Sequence, residues 1–507
     1  MALLAVGVVG VWMLYMSRHL DPYLKQQAII ALHDEFHADV DLANLQITAF
    51  PRIHAHGTNL VLRQTGKEGV PPLLEIREFD ANVRWKDLFA PHWTVNQVRL
   101  SGLRIHIPPK GERPHFQPLG KKQLPMIIRE LTADDSQLEI IPAKPAALPH
   151  VFEIHHLFMR DVRSDKAAEY MVELTNAIPP GEIQAKGTFG PWMADEPGDT
   201  PLTGKYDFAN ANLGVFKGIT GTLSSQGEFQ GTLDDISVQG KTDIPNFALR
   251  TSGKPVALHT EFEATVDGTN GNTILNSVQA NWLHTTVLAK GDIAKRSAEP
   301  VRTISLSAIV NRGKIEDMMF LAVKAQKPLM TGDVSLRAQI DLPPIHEDMI
   351  DRLVLNGQFA VSGAEFTNAK VSEKVETLSR KGLGKPNDED AGSAVSDLKG
   401  KFSMNGAVLE FHQLSFEVPG ASVHLQGTYG LDDEQLDFHG NLRLRAKLSQ
   451  TMTGAKSFLL KPFDPFFRKG NATELPIKVT GTKDKPEFAL ELHRPKPDEG
   501  TKAAKGE

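Results

Sequence analysis

From Leu436 to Leu448 the even positions are Leu436, Phe438, Gly440, Leu442, Leu444, Ala446 and Leu448, while Asp437, His439, Asn441, Arg443, Arg445 and Lys447 fill the odd ones. A strand points successive side chains to opposite faces, so a period of two held this long fits a half-buried strand and no helix. The segment is expected to form one strand, about twice the usual length. Val334, Leu336, Ala338, Ile340 and Leu342 repeat the pattern, as do Ile304, Leu306, Ala308 and Val310, then Leu353, Leu355, Gly357, Phe359 and Val361. A chain written this way must build a sheet with one apolar face.

Weak internal similarity suggests that the sheet grows by adding hairpins. Thr273 to Ile293 and Ala407 to Tyr429 each read as two strands around a central turn, ending in an apolar-x-apolar-x-Gly step at Gly291 and Gly427. Ile183–Gly187 and Ile477–Gly481 echo that ending. These glycines are expected at strand ends, where the chain turns or bulges.

The first residues carry a different signal. Met1 to Met16 (MALLAVGVVGVWMLYM) contain no charge, and Trp12 and Tyr15 sit where aromatic rings favour a membrane interface. Sixteen residues reach roughly 24 Å as a helix, a marginal span. An uncleaved single anchor is expected, since SRHLDPYL follows rather than a small-x-small cleavage site. No basic residue precedes the run, so a Lys/Arg-rich beginning is expected upstream. The rest of the chain contains no second apolar run of that kind and would lie on one side of the membrane.

These signals divide the chain into an anchor (1–17), a following helix (18–37), an N-terminal β region (38–110), a repetitive β body (111–365), a helix with an expected mobile loop (366–396), a C-terminal β region (397–493) and a charged tail expected to be disordered (494–507). Asp21-Pro22 opens the first helix, with Leu24, Ala28, Leu32 and Phe36 at four-residue spacing. Val371, Val375 and Leu378 mark the second.

Composition excludes more than it identifies. With 56 basic against 62 acidic side chains, the net charge of -6 gives no field that would favour a nucleic-acid partner. The absence of cysteine excludes disulfides and thiol catalysis. His33 and His37 share a helix face, but Glu35 stands one place from the zincin position. His54 and His56 share a strand face, and His155-His156 point oppositely; neither pair has a carboxylate at ligand-like spacing along the chain. Both read as the polar side of a sheet. Ser396-Asp-Leu-Lys399 matches a Ser-x-x-Lys pattern without its companion motifs. No catalytic residue, cofactor or metal site is therefore expected. Phe463, Phe466 and Phe467 lie among Lys461, Arg468 and Lys469, a mixture suited either to capping the sheet or to contact with anionic lipid at a membrane surface. Arg443, Arg445 and Lys447 read as a solvated basic stripe.

The arrangement resembles the AsmA-like proteins of the Gram-negative envelope. The resemblance covers nearly the whole chain. It rests on the anchor followed by a helix and the strand region HADVDLANLQITAFPRIHAHGTNLVLR, on Pro72 to Pro108, and on Val418-Pro-Gly-Ala421, Gly427-Thr-Tyr429 and Thr453-Gly-Ala-Lys456. These are diffuse patterns, and the missing basic start departs from the family's usual beginning. The resemblance implies an inner-membrane anchor, a periplasmic body of β-sheet curled into a groove, and a role in phospholipid movement or outer-membrane integrity. The expected fold is mainly β: an elongated, twisted antiparallel sheet forming an open groove or flattened barrel, with an N-terminal transmembrane helix and a few short helices. The groove candidates are Leu336, Ala338, Ile340, Phe359, Val423, Leu425, Phe438, Leu442 and Leu444, and the expected partners are phospholipids, the inner membrane and envelope proteins. The alternative is a scaffold or assembly factor for outer-membrane biogenesis that acts through protein partners.

Overall fold

A computed structural model describes residues 25–26, 28–30, 32–33, 38–48, 52–66, 70–84, 93–108, 126–141, 150–163, 165–193, 196–295, 302–343, 349–388, 396–453 and 461–491. The expected anchor, Leu24, Phe36, Thr453-Gly-Ala-Lys456 beyond its first residue, and the tail lie outside the described residues. Among the described residues no helix is long and apolar enough to cross a membrane. The chain divides into two compact units. One is built from Met1–Phe247, Ala257–Ala280 and Lys290–Ile304, the other from Ala248–Val256, Asn281–Ala289 and Ser305–Glu507.

The protein is mainly β. Strands β1 (Ala38–Thr48), β2 (Ile53–Gln64), β3 (Leu74–Val83) and β4 (Trp93–Ile107) form an antiparallel meander. Strand β5 (Met126–Ile140) then lies parallel to β4, which corrects the purely antiparallel expectation. Parallel neighbours cannot be joined by a tight turn, and the stretch between Ile107 and Met126 has the length that such a crossover needs. Strands β6 (His150–Arg163), β7 (Ala168–Asn176), β8 (Gly181–Phe189) and β9 (Pro201–Asn212) resume the meander. After the short β10 (Ile219–Thr220), β11 (Thr222–Thr232) pairs with β9 and with β12 (Asp235–Leu249).

Strands β13 (Val256–Val266), β14 (Thr273–Trp282), β15 (Thr285–Lys295) and β16 (Arg302–Lys314) follow in sequence. In the second unit, β17 (Met330–Leu342), β18 (Val354–Phe366), β19 (Ser396–Asn405), β20 (Val408–Val418), β21 (Ala421–Gly430) and β22 (Gln435–Leu444) run as consecutive antiparallel neighbours. Strand β24 (Ala472–Thr482) pairs with β22, with the short β23 (Arg468–Lys469) and with β25 (Lys485–Leu490). Among the described residues, β25 leaves the outer edge of this sheet unpaired, as β1 does in the first unit. In neither unit do the described strands close into a barrel.

Local chemistry sets the registers. In the β20–β21 hairpin, Pro419 presets the first central torsion of a two-residue turn and Gly420 takes φ +84°, the left-handed value that a type II turn requires. Between β21 and β22 the Asp433 carboxylate accepts from the Gln435 N–H, and Glu434 adopts φ +58°. Strand β22 stops at Leu444, short of the expected Leu448. There the backbone leaves the ladder: Arg445 N donates to Gly420 O at 3.0 Å and Ala446 N donates to Gly382 O at 3.0 Å. The alternation continues through Ala446 and Leu448, but its last residues belong to a corner.

Helices act as local covers. Ala28, Ile29 and Leu32 pack on Leu42, Leu45, Leu60, Leu62, Ile76 and Leu103 of the first unit, which are all buried. Burying one such leucine contributes roughly 2 kcal/mol. In the second unit, the Ile315–Ala322 helix places Ile315 and Met318 on Val334, Val361 and Ala364. The Ala369–Gly382 helix places Val375 and Leu378 on Val418, Ala421, Leu444 and Leu475.

Candidate functional site: the apolar sheet face

The cross-strand registers of the second unit align its apolar side chains into rows that run across the strands. One row reads Leu336, Phe359, Gly400, Leu414, Leu425, Gly440, Ile477, Leu490. The next reads Ala338, Gly357, Phe402, Phe411, Gly427, Phe438, Val479, Phe488. Eight strands at about 4.8 Å spacing make each row roughly 34 Å long.

Aromatic rings pave this face. Phe359, Phe402, Phe411 and Phe438 form a chain of neighbours, with centroid separations of 6.1 Å for Phe359–Phe402, 6.4 Å for Phe402–Phe411 and 5.6 Å for Phe411–Phe438. Glycines opposite the rings make room for them: a Cβ on Gly400 would lie 2.5 Å from Phe359 Cε1, and one on Gly357 would lie 2.8 Å from Phe402 Cζ. The same device recurs in the first unit. Gly187 and Gly204 face each other on β8 and β9, with Tyr170 and Phe229 on the flanking strands, and a Cβ on Gly204 would lie 2.5 Å from Phe229 Cζ. Gly187 and Gly427 therefore sit inside strands, which corrects the expectation that they mark strand ends. They are small because an added Cβ would run into the backbone of the next strand, at Thr203 and Gly204 for Gly187 and at Asp437 and Phe438 for Gly427. Gly481, two residues from the β24–β25 turn with φ +91°, does serve a turn.

Most of these side chains are neither buried nor exposed. On β8 and β9 the polar face is exposed while the apolar face is half-buried at each alternate position along most of the strand. In a two-layer sandwich the inward positions would be buried by the opposing layer. Here each apolar side chain is shielded mainly by its neighbours on the same face. That shielding is enough to dry the phenols that lie there: burial pushes Tyr170 up to about 12, and burial, with the negative charges of Glu434, Asp484 and Asp433 behind it, does the same to Tyr429.

The groove candidates fall into two groups. Leu336, Ala338, Ile340, Phe359, Leu425 and Leu442 are half-buried. Val423, Phe438 and Leu444 are buried, with Leu444 directly beneath the Ala369–Gly382 helix. Along the helical margin the face is covered; the two rows above it are half-buried over most of their length, with Phe438 buried beside Phe411 and with Phe488 and Leu490 exposed at the edge. Lys374 of the same helix holds its ammonium 4.6 Å from the ring centre of Phe488 on the edge strand, so helix and edge strand meet over the face.

Of the three expected membrane-contact phenylalanines, Phe467 packs on the buried cluster at Leu444 and Leu475, which is capping. The side chains of Phe463 and Phe466 lie outside the described residues. Arg443, Arg445 and Lys447 are exposed. Ser396 is buried and Lys399 is exposed on the opposite face of β19, so that motif does not assemble a nucleophile and base. Phe402, Phe411, Leu414 and Ile477 complete the rows but escaped the sequence reading. For Phe411 and Leu414 the cause is the bulge between them, which moves the apolar positions of β20 from odd to even and breaks the alternation that the eye follows. Comparison with protein-family models, curated proteins and solved structures returned no match.

Proposed function

We propose that the chain is an inner-membrane-anchored envelope protein of the AsmA-like kind whose periplasmic body holds phospholipid acyl chains on the apolar face of β17 to β25 and lets them pass along it. The observation that supports this is the pair of apolar rows in register across eight strands, half-buried over most of their length and without a second layer among the described residues. An apolar surface of that extent is normally covered by something. Contact with a hydrocarbon tail is worth roughly 25 cal/mol per Å² of apolar area removed from water, and because polarity is nearly constant along a row, a tail can shift from strand to strand without a large barrier. Holding and moving lipid in this way requires no catalytic residue.

A photoreactive amino acid at Leu425 of the full chain, activated in intact Gram-negative cells, should capture phospholipid, whereas the same residue at Arg443 on the polar face should capture none. Leu425→Glu should abolish lipid co-purification with the fold retained by circular dichroism. If Leu425 yields only protein adducts, or no more lipid than Arg443, the scaffold reading replaces this one.

A further inference from the structure

The polar face of the first unit holds a second constellation, unrelated to the apolar rows. His54 and His56 project from one face of β2, and the β2–β3 register sets Asn82 opposite His54, Asp80 opposite His56 and Glu78 opposite Thr58. Asp80 Oδ1 lies 3.1 Å from His54 Nε2 and 3.1 Å from His56 Nδ1, and Glu78 Oε1 lies 3.9 Å from His56 Nδ1. His54 Nδ1 lies 2.9 Å from Asn82 Oδ1. An oxygen there can only accept, so Nδ1 carries a proton and donates it. Nε2 faces the carboxylate oxygen of Asp80, a contact made either by a proton on an imidazolium or by a metal ion that a neutral Nε2 and the carboxylate share.

The geometry points to a divalent transition-metal site at His54 Nε2, His56 Nδ1, Asp80 and Glu78, of the class that accepts imidazole and carboxylate together, as Zn²⁺ does. Four ligands at about 2.0–2.2 Å from a tetrahedral ion stand about 3.3–3.6 Å from one another. The two 3.1 Å separations come close to that edge, and the ligand atoms of His56, Glu78 and Asp80 lie within 4.8 Å of one another. Glu78 has to shorten its approach, and its side chain is 49% exposed and free to turn. The Asn82 contact is the outer hydrogen bond that fixes a ligating imidazole in tautomer and orientation. Two carboxylates balance the charge of the ion. Arg99, opposite Asp80 on β4, forms no ion pair with it among the described residues, so no fixed cation occupies the place. Mixed nitrogen and oxygen donors on half-exposed side chains suit Zn²⁺ and its neighbours better than Mg²⁺ or Ca²⁺, which prefer all-oxygen shells. A bound ion would clamp β2 to β3 from the solvent side.

The test is calorimetric titration of the full, untagged chain in detergent micelles with Zn²⁺, followed by Co²⁺ absorption to read the coordination geometry. One equivalent should bind, with tetrahedral Co²⁺ bands, undisturbed by excess Mg²⁺. His56→Ala and Asp80→Asn should each weaken binding at least tenfold, Glu78→Gln less, and Asn82→Ala about tenfold through loss of the outer contact. His259→Ala, which removes another exposed histidine-carboxylate pair, should leave the affinity unchanged. Circular dichroism of each variant confirms its fold, and Glu78→Gln, the mildest change, keeps the test valid if the others misfold. Wild-type uptake no tighter than that of His56→Ala, or an equal loss in His259→Ala, would mean that the cation between these groups is a proton, and the site would be withdrawn.

Discussion

Strands β7 to β9 and strands β20 to β24 are written in the same alternation, yet their apolar faces end in different states. On β8 and β9 the central apolar positions stay half-buried. On the C-terminal strands Val418, Ala421, Leu444 and Leu475 form a buried cluster. The strands themselves do not account for the difference. What differs is the Ala369–Gly382 helix, whose Val375 and Leu378 lie on one margin of the C-terminal face, together with Phe467 from the corner after β22. A sheet's pattern states which face is apolar; segments elsewhere in the chain decide how much of that face water or lipid can reach.

The largest expected effect breaks this comparison directly. Leu444→Asp places a carboxylate under the helix at a position 3% exposed and should cost about 4 kcal/mol or more, enough to remove the cooperative urea transition of the second unit. Ile183→Asp, at a half-buried position on β8, should cost only about 1 kcal/mol, because its charge can turn toward water. Equal losses in the two variants would show that both faces are covered alike, and the open-face reading would fail with them.

How much of this was legible can be stated residue by residue. Period-two alternation located β17, β18 and most of β22, and helical spacing of Val371, Val375 and Leu378 matched the helix that covers the margin. The alternation overran β22, because Arg445 and Ala446 keep the pattern while their N–H groups bond to Gly420 and Gly382 across a corner. Register was invisible. The rows need Leu425 opposite Leu414, and that pairing depends on a bulge and a Pro-Gly turn rather than on either strand alone. His54 and His56 looked solitary for the same reason: their carboxylates stand more than twenty residues away and arrive only through the β2–β3 pairing.

A milder change sharpens the comparison by turning the covered region toward the open state. Leu378 is half-buried against Leu444 and Leu475, so Leu378→Ala should cost about 1–2 kcal/mol in urea denaturation, below the range for a fully enclosed leucine. It should also raise binding of an environment-sensitive apolar dye, since removing part of the cover exposes apolar area beneath. A stability loss with no gain in dye binding would mean that the helix braces the sheet without limiting access to it.

The smallest effect separates the regions by their polar faces. Residues 168–232 contain no histidine, whereas His439 on β22 reaches Glu491, which follows β25. Its Nδ1 lies 3.1 Å from both Glu491 carboxylate oxygens and its Nε2 lies 3.1 Å from Asp437 Oδ1, so both ring nitrogens face acceptors and the imidazolium is the form that satisfies them. The Glu491 hydrogen bond, more than the charges of Glu491 and Asp437, raises this histidine above its ordinary value. A raised folded-state value means that the pair's contribution is complete below about pH 6.5, where the unfolded chain is protonated too, and fades as pH climbs through the folded value. With the ring 44% exposed, solvent screening leaves a few tenths of a kcal/mol. The melting temperature of the wild type should therefore exceed that of His439→Gln slightly at pH 6, and the gap should narrow by pH 8 and in high salt. A gap that is constant from pH 6 to 8 would mean that His439 acts by packing and that its proton plays no part in fastening the last strand.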